Sequence, residues 1–224
     1  MARPDGNAVL TGVAIAVIVA AAAYAVNAAY EWSHERIEAN ERARVVARLN
    51  SVLEPALRNR DLTTTRIAVT DAEQLGNPEP TDVFVLTENG TPMAAVFATV
   101  APHGYNAAID LLVGVSPAGV VTGVRAVSHR ETTGLGDAID AAKTDWILQF
   151  DGKSMAAPAP ALWAVEHDEG EFDSITGATV TSRTVVGAVK NTLLYFEGHR
   201  NELYASAAAA AAAESEPTND DLAE

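Results

Sequence analysis

The chain has 224 residues, a formal net charge of −15 and only three lysines, so its surface repels nucleic acid and no basic stripe reverses that. It has no cysteine, which excludes disulfides, thiolate metal sites and cysteine-held iron–sulfur clusters. The length suits one ordinary domain with appendages, and alanine inflates the 48% apolar fraction, much of it close to the N-terminus.

Residues 1–7 hold Arg3 and Asp5, and residues 8–30 hold no charge, with Thr11 and Asn27 as their only strongly polar side chains. About 20 apolar residues cross the hydrocarbon core as a helix, so 8–30 is expected to be a transmembrane helix seated in membrane lipid. A cleaved signal peptide is the competing reading, because Arg3 precedes the run and Ala21, Ala22 and Ala23 suit a peptidase. The run exceeds the roughly 7–15 residues of a signal core, which favours an uncleaved anchor. Charge alone leaves the orientation open, since Arg36, Arg42, Arg44 and Arg48 beyond the span are interleaved with Glu31, Glu35, Glu38 and Glu41.

Residues 31–75 read as a helical stalk. Its helix covers 31–61, with Val45, Leu49, Val52, Leu53 and Leu57 near helical spacing and Pro55 set to kink or end it. The breaker Leu75-Gly76-Asn77-Pro78-Glu79-Pro80 opens a domain over 76–200. Two hairpins are expected there, 83–86 with 94–97 across Asn89-Gly90, and 109–115 with 120–127 across Ser116-Pro117-Ala118-Gly119. A helix is expected over 136–150, a short strand at 162–165 and a last helix over 182–196. Residues 201–224 form a tail. The alanine run 207–213 is able to extend the last helix, and Glu214, Glu216, Asp220, Asp221 and Glu224 suggest a disordered acidic end.

Two segments carry candidate chemistry. In 173–182 five hydroxyls (Ser174, Thr176, Thr179, Thr181, Ser182) surround Gly177-Ala178 directly before a helix-like run. Gly177 accepts a positive φ and lets a ligand approach the backbone. Thr179, Thr181 or Ser182 suits a helix cap, the free N–H groups of the helix start favour a phosphate, and Arg183 offers a cation. A plain capped helix start and an anion site both fit this spacing. In 128–137, Gly134-Leu135-Gly136 after a strand makes a tight loop able to lie against a flat ring, with Leu135 as apolar contact and Glu131 as a fixed polar one. By itself the loop is better explained by an ordinary strand-to-helix connection. His34, His103, His129, His167 and His199 lack metal-ligand spacing, so no metal site is expected, and Trp146 and Trp163 read as core.

Taken together, the two segments resemble the FMN-binding domain of the G-subunit of the Rnf (Rsx) ion-translocating electron transport complex. The C-subunit of the sodium-translocating NADH:quinone reductase shares that domain. The pattern Asp-x-x-(Ser/Thr)-Gly-Ala-Thr-x-(Ser/Thr) runs from Asp173 to Thr181, and the family's His-Lys-Glu-Thr-Pro-Gly-Leu-Gly signature falls on His129 to Gly136, with Arg130 and Thr133 replacing Lys and Pro. Ala107 stands where the family's Gly-Tyr-x-Gly pattern has its second glycine. The resemblance implies an α+β fold, a single N-terminal transmembrane helix followed by one FMN-binding domain with antiparallel strands. It also implies FMN held covalently by a phosphoester to Thr179, with Thr176, Gly177, Ala178, Thr181 and Ser182 in support and Glu131, Thr132, Gly134, Leu135 and Gly136 beside the ring.

The same resemblance implies a single-pass protein of the bacterial inner membrane, with 1–7 cytoplasmic and the FMN domain periplasmic. Its expected partners are the other subunits of the complex and a flavin transferase. The implied role is that of an electron-transfer subunit of a membrane oxidoreductase (a translocase), with no catalytic residue and no independent substrate turnover. Alternatives are an FMN-domain subunit of another respiratory system, such as the quinone reductase, or a flavin-free membrane-tethered assembly or sensory module. The intact Thr176-Gly177-Ala178-Thr179 argues against the last.

Overall fold

A computed structural model describes residues 6–58, 66–88 and 90–215. The chain divides into two compact units, Met1–Val45 and Val46–Glu224.

The first unit consists of the helix α1 (Gly6–Asn50) up to Val45. Its described apolar side chains, among them Leu10, Ile15, Val17, Ile18, Val19, Tyr24, Val26 and Tyr30, are exposed. Among the described residues no helix is long and apolar enough to cross a membrane. The expected span 8–30 includes residues 8, 9, 11–13 and 29, whose side chains lie outside the described ones. The same holds for the N-terminal residues 1–5 and for most of the acidic end, 216–224.

The second unit is built on five antiparallel strands that lie in the sheet in chain order: β1 (Arg66–Asp71), β2 (Asn77–Glu88), β3 (Thr91–Ala101), β4 (Ile109–Val115) and β5 (Val121–Ser128). The antiparallel sheet and helices agree with the α+β expectation. Both expected hairpins form, with Gly90 and Gly119 at φ of +76° and +79° in their turns, the conformation that glycine adopts without strain.

The run Val83-Phe84-Val85-Leu86 is apolar without alternation because both faces of the sheet are covered. Val83, Val85, Ala95, Phe97, Leu111 and Val113 pack in the main core with Val185, Val186, Val189, Leu193 and Phe196 of the last helix, α2 (Thr179–Ser215). Phe84, Leu86, Ala94, Val96 and Leu112 face the opposite way, onto Leu49, Val52, Leu53 and Leu57. Four of the five apolar residues spaced along the expected stalk helix, Leu49, Val52, Leu53 and Leu57, therefore cover the back of the sheet, while Val45 is exposed. The backbone of Val52 lies against a pair of opposed glycines, Gly114 and Gly123, and the Thr122 hydroxyl donates to the Val52 carbonyl at 2.6 Å.

Several elements differ from the expectations. The helix expected over 31–61 ends at Asn50, and residues 66–71, read as stalk, form the edge strand β1. Only Ile67 and Val69 mark β1 as a strand; both are half-buried and alternate with exposed neighbours, over a run too short to stand out from the stalk. The helix expected over 136–150 is two short 3-10 turns, Gly136–Ile139 and Trp146–Phe150. Between them Asp140 accepts from the Ala142 N–H, while the Thr144 hydroxyl donates to the Ala138 carbonyl and accepts from the Trp146 N–H. Such local side-chain bonds compete with the helical ladder. The strand expected at 162–165 is also a 3-10 turn, Pro160–Leu162, with Val165 alone bridging to Phe172. Trp163 stacks within a buried aromatic group with Phe150 and Phe172, as a core residue should. Finally, α2 begins three residues earlier than expected and continues through the alanine run, burying Leu203 and Ala207.

Candidate functional site

The 173–182 segment is gripped at its start by the aromatic turn beneath it. Gln149 Oε1 accepts from the Asp173 N–H and Trp146 Nε1 donates to the Asp173 carbonyl, both at 2.8 Å. The chain then turns at Gly177, where φ is +80°, and α2 begins at Thr179.

Ala178 occupies the cap position, its carbonyl accepting the Ser182 N–H at 3.0 Å. Alanine brings no side-chain oxygen to the first turn. The N–H groups of Thr179, Val180 and Thr181, which have no partner within the helix, are therefore left for a ligand or water, where the helix dipole favours an anion.

The capping expected from Thr179, Thr181 or Ser182 is thus not what these side chains do. Ser182 is fully buried, accepts from the Ile175 N–H at 2.9 Å and donates to the Ala178 carbonyl at 3.2 Å, stitching the preceding loop to the helix. Ser182→Ala leaves the Ile175 N–H buried without its acceptor. It is expected to lower stability by about 1–2 kcal/mol in urea unfolding. Thr181 is also fully buried, and its hydroxyl donates in a short bond to Glu131 Oε2. Arg183, read as a spare cation, is held by Asp168, with Nε and Nη2 at 2.5 and 2.6 Å from the two carboxylate oxygens. The guanidinium keeps the Asp168 carboxyl below its usual range, and that pairing takes it out of any anion site.

A cleft of about 500 Å³ lies where this helix start meets the 131–136 loop. Glu131, Thr132, Leu135 and Gly136 form one wall, Gly177, Ala178, Thr179, Val180 and Thr181 the other, and Tyr105 stands at the mouth. The walls approach closely. A Cβ on Gly136 would stand 2.7 Å from Glu131 Oε2 and 3.0 Å from Thr181 Oγ1, so only glycine fits there without displacing both. Of the expected site residues, Thr176, Gly134 and Ser182 do not line the cleft. Thr176 is exposed beside the Gly177 turn, and Gly134, at φ +81°, shapes the opposite loop and donates its N–H to Asp137 Oδ1 at 2.8 Å.

Besides Val180, which lines the cleft, four residues outside the expected set contribute. Tyr105 is 69% exposed at the cleft mouth. Asn106 donates its N–H to Glu131 Oε1 at 3.2 Å, and its amide donates to the Arg130 carbonyl at 2.9 Å and to Thr132 Oγ1 at 3.2 Å. The sequence signal for both was the Gly-Tyr-x-Gly pattern, which falls on Gly104 to Ala107 and carried no role. Asp137, which is buried, and its partner Lys143 hold the glycine loop from below, with Lys143 Nζ 2.5 Å from Asp137 Oδ2.

The ammonium of Lys143 is the main cause that keeps the Asp137 carboxyl below its usual value of 3.8; burial opposes it and the Gly134 N–H assists. A carboxyl with a depressed folded-state pKa contributes stability above its unfolded value and loses it as pH falls through the folded one. Lys143→Met is therefore expected to be less stable than the wild type at neutral pH. In urea titrations at successive pH values, the gap should close as pH drops below 3.8.

A second groove, of about 630 Å³, lies on the other side of Val180 between 72–76, 100–103 and the face of α2. It contains none of the 131–136 residues, whereas the cleft joins both candidate segments.

Comparison with known proteins follows the same line. Residues 104–194 match the FMN-binding domain family, a range that spans Tyr105, the loop and the helix start. The chain is 39% identical over 173 residues to the G-subunit of the ion-translocating oxidoreductase complex of Shewanella loihica, covering 77% of this chain and 82% of that protein. It is 36% identical over 193 residues to the G-subunit of Vibrio cholerae, covering 86% and 92%. With the Pseudomonas aeruginosa protein of the same name, identity is 48% over 136 residues, covering 61% and 64%.

Proposed function

The chain belongs to the family of G-subunits of ion-translocating oxidoreductase complexes, and from that premise we propose that it is the membrane-anchored flavoprotein subunit of such a complex. In this reading it relays electrons through FMN joined to Thr179 by a phosphoester.

The observation that carries the attachment is the fate of the five hydroxyls in 174–182. Only Thr179 and Thr181 line the cleft, and Thr181 is buried with its hydroxyl spent on Glu131. Thr179 Oγ1 is the hydroxyl left to hold a phosphate, one residue past a cap that leaves three N–H groups open beside it. The cleft suits the rest of the cofactor: Leu135 and Gly136 give a flat apolar wall, and Glu131 and Thr132 polar edges. When bound, the flavin supplies one- and two-electron transfer. The ester keeps it from being lost and fixes its position, and the chain's residues orient it without turning over a substrate of their own.

Residues 8–30 anchor the chain in the membrane lipid, with 1–7 on the cytoplasmic side and the cleft on the periplasmic side. The exposed Ile15, Val17, Ile18, Val19 and Val26 along α1 support this. The partners are the other subunits of the complex and, for loading, a flavin transferase. The full chain coexpressed with such a transferase is expected to fluoresce as a flavin in a denaturing gel. A dark wild-type band under those conditions would remove the covalent reading.

A further inference from the structure

We propose that Glu131 works as the centre of a latch, with Asn106 and Thr181 as its arms, and that this latch sets the width of the cleft. Glu131 and Asn106 are then positioning residues. The inference rests on the flavin reading of the cleft for its functional meaning, but the latch itself is a matter of this chain's own contacts.

Glu131 is 6% exposed. One carboxylate oxygen accepts from the Asn106 N–H, 25 residues away in sequence, and the other from the Thr181 hydroxyl, 50 residues away. The two bonds tie three separate segments to one side chain: the loop bearing Tyr105, the Gly-Leu-Gly loop and the first turn of α2. Asn106 adds a second tie through its amide, to the Arg130 carbonyl and Thr132 Oγ1. The surrounding glycines pack on the latch. A Cβ on Gly104 would come 2.9 Å from Glu131 Oε1, and one on Gly136 would come 2.7 Å from Oε2. Among the described residues the Glu131–Thr181 bond is the one hydrogen bond between the two cleft walls, which otherwise approach through packing at Leu135 and Gly177 and at Gly136 and Thr181. Thr181 is two residues from Thr179, so the rotation of the first helical turn, and with it the direction of the Thr179 hydroxyl, follows the latch.

The hydrogen-bond chemistry separates geometry from charge. In Glu131→Gln the amide oxygen accepts from Asn106 while its NH₂ donates to Thr181, whose hydroxyl reverses from donor to acceptor. Glu131→Ala removes both bonds. Thr181→Val keeps shape and the Glu131 charge but removes one arm, and Thr181→Ser restores it.

The test is amide hydrogen exchange on the full chain, run in the wild-type background and again with Thr179→Val, where no flavin is attached. Glu131→Ala and Thr181→Val are each expected to speed exchange at Asn106 and at 132–136 by roughly tenfold or more, with amides in the centre of the sheet unchanged. Glu131→Gln and Thr181→Ser should stay near wild type. Because the arms act as one unit, the Glu131→Ala/Thr181→Val double variant should exchange no faster than the faster single variant. In loaded protein the flavin midpoint potential should move in Thr181→Val and return in Thr181→Ser, a pair that leaves the carboxylate in place. Exchange within about twofold of wild type in Thr181→Val, in both backgrounds, would overturn the latch, and so would an unmoved potential. If Glu131→Ala fails to fold, the Thr181 pair decides. A wild type that carries no flavin counts against the proposed function, and the exchange result then judges the latch by itself.

Discussion

Thr179→Val is expected to give a folded chain that carries no flavin after denaturation, with in-gel fluorescence at background, while Thr176→Val stays as bright as wild type. Valine matches threonine in shape and lacks only the oxygen. At the first residue of a 37-residue helix, the exchange costs at most a few tenths of a kcal/mol. Loss of the label would therefore report the missing oxygen rather than misfolding, and an unchanged melting temperature would check this. Thr176 serves as the control because it is the more exposed of the two, beside the Gly177 turn, yet lies outside the cleft lining. A fluorescent Thr179→Val band would move the attachment to another hydroxyl. The geometry makes that hard to arrange, since Thr181 and Ser182 are fully buried and Ser174 and Thr176 lie outside the cleft lining.

The largest effect on stability is expected far from the cleft, at Gly114. The segment after α1 crosses the back of the sheet with its backbone pressed onto the opposed pair Gly114 and Gly123. A Cβ on Gly114 would meet the Val52 carbonyl oxygen at 2.3 Å and Thr122 Oγ1 at 2.5 Å, and one on Gly123 would meet the Val52 Cα at 2.9 Å. Backbone atoms have no rotamer to retreat into, so Gly114→Ala must lift residues 51–53 off the sheet. The bond from Thr122 to the Val52 carbonyl then breaks, and the packing of Leu49, Leu53 and Leu57 on Phe84 and Val96 loosens. Overpacking of this kind costs about 2–3 kcal/mol, a fall in melting temperature of roughly 5–10 °C for a domain of this size. A melting temperature within error of wild type would mean that the 51–53 segment docks loosely.

These two sites differ in how visible they were before folding. The resemblance that singled out Thr179 rests on a local run, in which a glycine able to take positive φ, a small residue and a hydroxyl on the first turn lie within four residues. The Gly114–Gly123 seat has no such signature. Each glycine reads as a weak spot in an apolar strand, and its reason appears only when Val52 is laid across it from more than 60 residues away. The short 3-10 turns at 136–150 fall between these cases. Asp140 and Thr144 are known helix competitors, yet the run 136–150 read as a helix, and the side-chain bonds that interrupt it appear only in the fold.

The family resemblance singled out Thr179, and residue order by itself was enough to establish the two hairpins and the start of the last helix to within three residues. These elements depend on backbone preferences and hydrogen-bond demands satisfied by near neighbours. Tertiary structure alone decided which hydroxyls remain for a ligand, because Thr181 and Ser182 are consumed by Glu131 and by the Ile175 and Ala178 backbone. It also decided that Arg183 belongs to Asp168 and that Asn106 belongs to the site. The physical reason is common to all three. A polar side chain is claimed by whichever partner folding brings within about 3 Å, and for residues 15 to 50 positions apart no local pattern records that meeting.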